Sequence, residues 1–179
     1  MDRYTSRHRP EDRDRGATRS THMPNEVLDL REASRAADSI FDRSRGESIG
    51  LNKTINYIGS SRSISFFSDA DHTDMGTLTI APQDGSMRIG WIHNKQRARY
   101  KGLGTAMIKI ADRFRALDNL RSLTLRSQSE DASVFFYKSG FRFTGEGMEA
   151  KNSAMRRQIS NPEFQPPDDV IFLGEMERG

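Results

Sequence analysis

A regular amphipathic helix that begins directly after two glycines constrains the fold more than any other feature of this sequence. Gly102 and Gly104 stand one residue apart at its start, and a β-rich run ends at His93 just before them. Apolar residues then recur every three or four positions, which is the spacing of a helix with one face in the core. These apolar residues are Leu103, Ala106, Met107, Ile110, Ala111, Phe114 and Leu117.

The start of this helix has the properties of an anion site. The first-turn N–H groups of a helix have no intrahelical partner and carry the positive end of the helix dipole. Because Gly102 and Gly104 lack a Cβ atom, a pyrophosphate can approach the backbone closely. Arg97, Arg99 and Lys101 add positive charge beside it. The pattern predicts a bound phosphate group, although two glycines before a helix also arise as ordinary turn chemistry.

Two other phosphate loops are excluded by the residues present. A Walker A loop needs a lysine and a serine or threonine directly after its last glycine, and the dinucleotide fingerprint needs a third glycine. Gly104 is followed instead by Thr105, Ala106 and Met107.

The charge around this helix is strongly one-sided. Residues 95–126 contain nine lysines or arginines and two acids, Asp112 and Asp118, in a chain whose net charge is only +3. Such a segment favours a nearby anion, and a solvated basic face is the alternative.

Length and composition limit the class of protein. With 179 residues, the chain is predicted to form one domain, residues 24–179, preceded by a polar flexible arm, residues 1–23. The arm is read as a solvated tail, with contact to a partner protein as the alternative. The absence of cysteine excludes disulfides and thiolate metal sites, and the four histidines lack metal-ligand spacing, so no metal is expected. Without a membrane-length apolar run or a secretory signal, we expect a soluble cytoplasmic protein.

Hydrophobic periodicity predicts the remaining elements. A helix is expected at 25–43, a strand at 122–126, and a second helix at 131–139 with Ser129 as N-cap and Gly140 as its left-handed C-terminal residue. Residues 148–169 are interpreted as a long polar loop. The β-rich runs, the first four of them read as an antiparallel meander, are 55–58, 63–68, 77–82, 87–93, 141–143 and, as the last strand, 170–173.

Two motifs resemble those of the GNAT family of N-acetyltransferases. The segment from Arg99 to Gly104 resembles the family's R/Q-x-x-G-x-G/A motif, which opens the helix beneath the pyrophosphate of coenzyme A. The segment from Ala132 to Phe141 resembles its later signature, in which a helix with a Phe-Tyr pair ends in Gly-Phe. The two motifs occur in the family's order with one strand between them, and the resemblance covers about residues 63–147.

The resemblance implies an α/β (α+β) fold with a mixed, mainly antiparallel sheet flanked by helices. It also implies that the fourth and fifth strands splay apart, with a β-bulge nearby, so that the pantetheine of acetyl-CoA pairs with the backbone near residues 92–94. Acetyl-CoA is the implied cosubstrate. The residues expected to bind it are Ile92, Asn94, Arg97, Arg99, Tyr100, Lys101, Gly102, Leu103, Gly104 and Thr105.

Two side chains are candidates for catalysis. Tyr137 matches the family position whose hydroxyl protonates the leaving thiolate, with a core aromatic as the alternative. His93 is a candidate general base, or else a solvated histidine at a strand end. Glu130 and Asp131 are weaker candidates because both suit a helix N-terminus. Trp91, two residues before His93, is expected in the core rather than against a substrate.

The predicted activity is direct transfer of an acetyl group from acetyl-CoA to a primary amine. The N-terminal third departs from the family, which has two helices there that shape the acceptor site, whereas this sequence shows one. A non-catalytic GNAT-like component of a larger assembly is therefore the main alternative. A nucleic-acid-directed acetyltransferase comes last, because one CoA molecule accounts for much of the basic charge.

Overall fold

A computed structural model describes residues 25–179 of the chain. The arm predicted at residues 1–23 lies outside the described residues. The described part contains helices and strands in the order α1 (Glu26–Ala36), β1 (Ser39–Asp42), β2 (Glu47–Ile58), β3 (Ser61–Ser68), β4 (Asp74–Gln83), β5 (Ser86–Asn94), β6 (Tyr100–Lys101), α2 (Leu103–Leu117), β7 (Leu123–Ser127), α3 (Glu130–Lys138), β8 (Arg142–Phe143), α4 (Met148–Ser160) and β9 (Gly174–Arg178).

The strands form one mixed sheet in the order β6-β1-β2-β3-β4-β5-β7-β9-β8. All pairings are antiparallel except that of β5 with β7, which is parallel. Strand β2 is long enough to pair over its first four residues with β1 and over the remainder with β3. The predicted fold class, a mixed and mainly antiparallel sheet flanked by helices, is confirmed.

Helix α2 buries the face that its periodicity predicts. Leu103, Met107, Ile110 and Phe114 are fully buried against β4, β5 and β7. Helix α1 packs beside α2 on the same face of the sheet. A buried Arg62 on β3 joins these elements: its guanidinium donates to Asp29 of α1 at 3.1 Å and to Asp118, just after α2, at 2.7 Å.

The helix predicted at 25–43 is wrong over its second half. Helix α1 ends at Ala36, and Ile40 and Phe41 belong to strand β1, in which burial alternates along the chain. Both apolar residues fit a helical spacing in isolation. Pairing with β2 on one side and with β6, a strand distant in sequence, on the other makes them a strand.

The long polar loop predicted at 148–169 is also wrong, since helix α4 fills its first half. Most α4 residues are polar, and only Ala154 and Met155 are fully buried, so the periodic signal is weak. The three prolines of the segment all follow the helix.

The last strand lies later than predicted. Residues 170–173 are not paired in the sheet; Phe172 alone among them is buried, stacked on Phe143 with ring centroids 6.4 Å apart. Strand β9 begins at Gly174 and pairs with β7 and β8. Helix α3 agrees with prediction: Ser129 caps its N-terminus, and Gly140 has a φ of 96°.

Candidate functional site

A cavity of about 420 Å³ lies between strand β5, the N-terminus of α2 and helix α3. Its walls combine backbone at the start of α2, cationic side chains and the rings of α3. The lining residues are Arg43, Ile92, Asn94, Arg97, Lys101, Gly102, Gly104, Thr105, Ser129, Asp131, Ala132, Phe135 and Phe136.

The cavity exists because β5 and β7 stay paired over only three residues. Met87 to Ile89 pair with Leu123 to Leu125, and β5 then continues to Asn94 without β7 beside it. A β-bulge marks the point of separation: Ile89 pairs with Ile80 and Trp91 with Thr79, so Gly90 is the extra residue. Both the separation of these strands and the bulge were predicted from the family resemblance.

The N-terminus of α2 opens into this cavity. Gly102 occupies the N-cap with a φ of 96°, a left-handed conformation that favours glycine, and provides no side-chain cap. The first intrahelical bond runs from the Ala106 N–H to the Gly102 carbonyl at 2.9 Å. The N–H groups of residues 103–105 therefore precede the helical ladder and remain available to an anion. Helix α3 differs, because the Ser129 side chain accepts a hydrogen bond from the Ala132 N–H.

Gly104 has a second reason to be glycine. A Cβ atom at this position would lie 2.9 Å from Cζ of Phe135 on α3, closer than such contacts normally come. The absence of a side chain therefore lets α3 approach α2, and the two helix ends form opposite walls of the cavity. Sequence reasoning attributed this glycine to phosphate approach alone.

Three cationic side chains line the cavity: Arg43, Arg97 and Lys101. Arg97 and Lys101 were predicted, and Arg43 was missed. Arg43 follows β1, and its guanidinium lies 3.4 Å from the Ala98 carbonyl in the loop before β6. No local motif marks it, because its position depends on the pairing of β1 with β6. Asp131, an acidic residue, also lines the cavity.

Arg99 lies beside the cavity rather than in its lining. Its guanidinium donates to Asp42 at 2.9 Å and to Asp71 at 2.7 Å. These hydrogen bonds lower the pKa of Asp42 to about 2, hold the pKa of Asp71 well below its usual value and raise the pKa of Arg99. The side chain thus fixes the loop between β5 and β6.

The structure brings together seven of the ten residues predicted to bind the cosubstrate. Arg99 is engaged as described, while Tyr100 and Leu103 are buried in the core. The seven that line the cavity are Ile92, Asn94, Arg97, Lys101, Gly102, Gly104 and Thr105.

Tyr137 does not line the cavity. It is 6% exposed, its hydroxyl donates to the Asn152 carbonyl of α4 at 3.0 Å, and Arg142 lies over its ring. Its neighbour Phe136, about 100° away around the helix, faces the cavity instead. The general-acid role stays a prediction, and it requires the hydroxyl to exchange the Asn152 carbonyl for the thiolate.

His93 and Trp91 lie on the other face of β5 from Ile92 and Asn94. The core position expected for Trp91 is wrong: its side chain is 54% exposed, and its ring meets that of His93 edge to face with centroids 5.8 Å apart. The bulge at Gly90 is the cause. Ile89 and Trp91 would share a face in a regular strand, and the extra residue turns Trp91 outward.

Much of the basic charge of residues 95–126 is neutralised by carboxylates of the chain itself. Lys95 pairs with Asp74, Arg113 with Glu32, and Arg115 with Asp112 at 2.7 Å. The charge that faces the cavity is therefore smaller than the sequence suggests, and it is concentrated at the N-terminus of α2.

Within residues 25–179, no group of histidine and acidic side chains is arranged to hold a metal ion. In the same part of the chain, no helix combines the length and apolar character needed to cross a membrane.

The sequence matches no protein-family model and no curated protein. Among solved structures, the chain is similar to a GNAT-family acetyltransferase from Staphylococcus aureus Mu50, with a TM-score of 0.47, 13% identity and coverage of 69% of this chain and 70% of that one. Nourseothricin acetyltransferase gives a TM-score of 0.46, 16% identity and coverage of 79% and 84%. A GNAT-family acetyltransferase from Elizabethkingia anophelis, with acetyl-CoA bound, gives a TM-score of 0.44 and 14% identity, with coverage of 71% of this chain and 94% of that one.

Proposed function

We propose that this protein is an acyl-CoA-dependent N-acetyltransferase that binds acetyl-CoA in the cavity and transfers its acetyl group to a primary amine. One observation carries the proposal: the uncapped N-terminus of α2 and three cationic side chains meet where β5 separates from β7. The residues of the site fit a ligand that has a pyrophosphate at one end and an extended amide chain at the other.

The pyrophosphate fits the first turn of α2. The N–H groups of residues 103–105 point out of the helix, and the dipole favours a negative charge at this end. Arg43, Arg97 and Lys101 surround the same opening, so the phosphates meet both backbone donors and full positive charges. Coenzyme A is a polyanion, and this concentration of positive charge is what it requires.

The pantetheine arm fits the free edge of β5. Beyond Ile89, this strand presents backbone N–H and C=O groups on the side that β7 has left. Amide groups of an extended ligand can pair with such an edge as an additional strand would. The Ile92 and Asn94 side chains line the cavity at this point.

Acetyl-CoA supplies a thioester, and the acceptor ammonium group loses two protons during the transfer. An ammonium acceptor releases one proton before attack; a C–N bond then forms as the thioester C–S bond breaks, and a second proton ends on the CoA sulfur. His93 is proposed to accept the first proton and Tyr137 to deliver the second. The assignment of Tyr137 is tested by substitution to phenylalanine.

A second candidate function is a CoA-binding domain without transfer activity. It is favoured by the positions of the two predicted catalytic residues, because the Tyr137 hydroxyl is bonded to α4 and His93 lies on the opposite face of β5. Such a domain would bind acetyl-CoA through α2 and release it unchanged.

Calorimetric titration with acetyl-CoA and with dephospho-CoA tests the binding, and product analysis with a panel of amines tests the transfer. We expect saturable binding of acetyl-CoA and acetylation of at least one amine. Binding without transfer to any acceptor would favour the second candidate, and absence of binding would overturn both.

A further inference from the structure

The sheet face opposite α1 and α2 carries an ordered array of uncharged polar side chains. Four strands contribute to it, and the register aligns their side chains in two rows across the sheet. We call this array the hydroxyl face. Its first row is Thr54, Ser65, Thr77 and His93, and its second row is Asn56, Ser63, Thr79 and Trp91.

The hydroxyl face is open and electrically neutral. Thr54, Asn56, Trp91 and His93 are exposed, and the serines and threonines between them are half-buried. No lysine, arginine, aspartate or glutamate belongs to either row of this array. On the same face of these strands, the charged residues that border the two rows are paired: Arg88 with Glu175 at 3.1 Å, and Asp74 with Lys95.

Trp91 gives the hydroxyl face one strong aromatic contact. Its ring is 54% exposed and is held edge to face by His93, with Thr79 directly across the ladder. An exposed indole attracts an ammonium group to its ring face and packs against apolar C–H surface. The neighbouring hydroxyls can each donate and accept a hydrogen bond, which is how a protein surface matches a polyhydroxylated ligand.

We propose that the hydroxyl face is the acceptor site and that it takes a monoamine carried on an uncharged polyhydroxylated ring, that is, an amino sugar. This inference rests on the proposed acetyltransferase function. The ammonium group lies against Trp91 beside His93, and the ring hydroxyls bond to Thr77, Thr79 and Ser63. His93 is then adjacent to the amine whose proton it is proposed to accept.

The charge of the face selects this class over others. A polyamine or a basic peptide needs carboxylates to compensate its additional cations, and the two rows provide none. A single-stranded nucleic acid could stack on Trp91, but it needs lysines or arginines along its backbone path, which the rows also lack. A ligand with one positive charge and several ring hydroxyls therefore matches a surface that has one exposed indole ring among hydroxyl groups.

In this proposal the acceptor amine reaches the thioester beside Gly90, where β5 and β7 separate. Strand β5 has Ile92 and Asn94 on the cavity side and Trp91 and His93 on the hydroxyl face. Beyond Ile89, no ladder hydrogen bonds to β7 close the sheet at this edge of β5. Gly90 has no side chain to obstruct this edge; the nearest atom to a Cβ there would be the Thr79 carbonyl oxygen at 3.9 Å.

Trp91 is the only tryptophan in the chain, so its fluorescence reports this face directly. The test titrates the full-length protein, with and without saturating CoA, with glucosamine. Glucose serves as the ring without the amine, putrescine as an amine without the ring, and an oligouridylate as the nucleic acid. Calorimetry with acetyl-CoA is run on the same sample, so that failure of the cosubstrate site is recognised separately.

We expect glucosamine to change Trp91 emission saturably, with a dissociation constant at least several-fold lower than for glucose or putrescine, and to be N-acetylated.

Thr79→Val, which keeps the shape and removes one hydroxyl, should weaken glucosamine binding about 3- to 10-fold, the range for one lost hydrogen bond. Thr144→Val, at an exposed threonine outside the face, should leave it unchanged. Intact acetyl-CoA binding with no response to glucosamine, or a stronger response to putrescine or the oligouridylate, would overturn the inference while leaving the proposed function standing. Lack of acetyl-CoA binding would remove both.

Discussion

Arg99 donates hydrogen bonds to the fully buried carboxylate of Asp42, with Nε at 3.1 Å and Nη2 at 2.9 Å from the same oxygen. The pair joins the loop before α2 to the end of β1, whose next residue, Arg43, lines the cavity. Ser44 completes the environment of the carboxylate by donating both its backbone N–H and its hydroxyl. The sequence motif suggests that Arg99 is a phosphate ligand. In the structure, Arg99 instead fixes the segments that carry residues of the cavity lining.

The Asp42 pair predicts loss of stability in acid. The pKa of Asp42 is lowered from an ordinary 3.8 to about 2, mainly by hydrogen bonding to Arg99. A depressed folded-state pKa means that the stabilisation is present above about pH 4 and is lost as the pH falls toward 2. We expect the difference in unfolding free energy between wild type and Asp42→Asn to shrink over this window. Urea unfolding of both proteins from pH 6 to pH 2 measures it, and a constant difference would contradict the assignment.

Thr105→Glu should weaken acetyl-CoA binding strongly without damage to the fold. Thr105 is exposed in the first turn of α2, where a carboxylate favours the helix dipole, so thermal stability should be kept. The same carboxylate repels the phosphates: two like unit charges about 4 Å apart cost about 4 kcal/mol at an effective dielectric constant of 20. We expect calorimetry to show affinity reduced at least about tenfold.

Lys109→Glu is the matched control for this experiment, because Lys109 is exposed on the same helix one turn further along and does not line the cavity. It changes the net charge more than Thr105→Glu does. If both variants lose affinity equally, the site is governed by overall charge and not by the N-terminus of α2. Gly104→Glu is less informative, since its side chain would also meet Phe135.

Arg43→Ala should weaken acetyl-CoA binding, although no sequence motif includes this residue. Arg43 lines the cavity together with Arg97 and Lys101. A hydrogen bond to a charged group contributes about 1.5–3 kcal/mol, so we expect affinity to fall about tenfold or more. Titrations at two salt concentrations should also show a smaller salt dependence. Arg31→Ala, at an exposed position on α1, is the control. Unchanged binding by Arg43→Ala would place the phosphates elsewhere.

Much of the lining of the cavity around the start of α2 could be predicted because its signals are local. Gly102, the periodic face of α2 and the Ser129 cap of α3 each lie within a few residues of what they determine. Arg43 could not be found in this way, since its place depends on β1 pairing with β6, about 60 residues away. The prediction for Trp91 was wrong because of a single inserted residue. Side chains alternate between the two faces of a strand, and the extra residue at the Gly90 bulge exchanges the faces for the residues that follow it.

Tyr137→Phe separates a catalytic role from a structural one. The substitution keeps the ring and removes the hydroxyl that donates to the Asn152 carbonyl at 3.0 Å, so the free energy of unfolding should fall by about 1 kcal/mol. Acetyl-CoA affinity should be unchanged, because the residue does not line the cavity. If Tyr137 protonates the thiolate, turnover falls about 100-fold in addition.

Tyr57→Phe is the control: it loses a phenol hydrogen bond to Asp29 of 2.8 Å, between β2 and α1, outside the cavity. Both variants should be assayed for turnover at a temperature where both are folded. A loss in Tyr137→Phe alone would support the general-acid role, whereas equal turnover in the two variants would limit Tyr137 to joining α3 with α4.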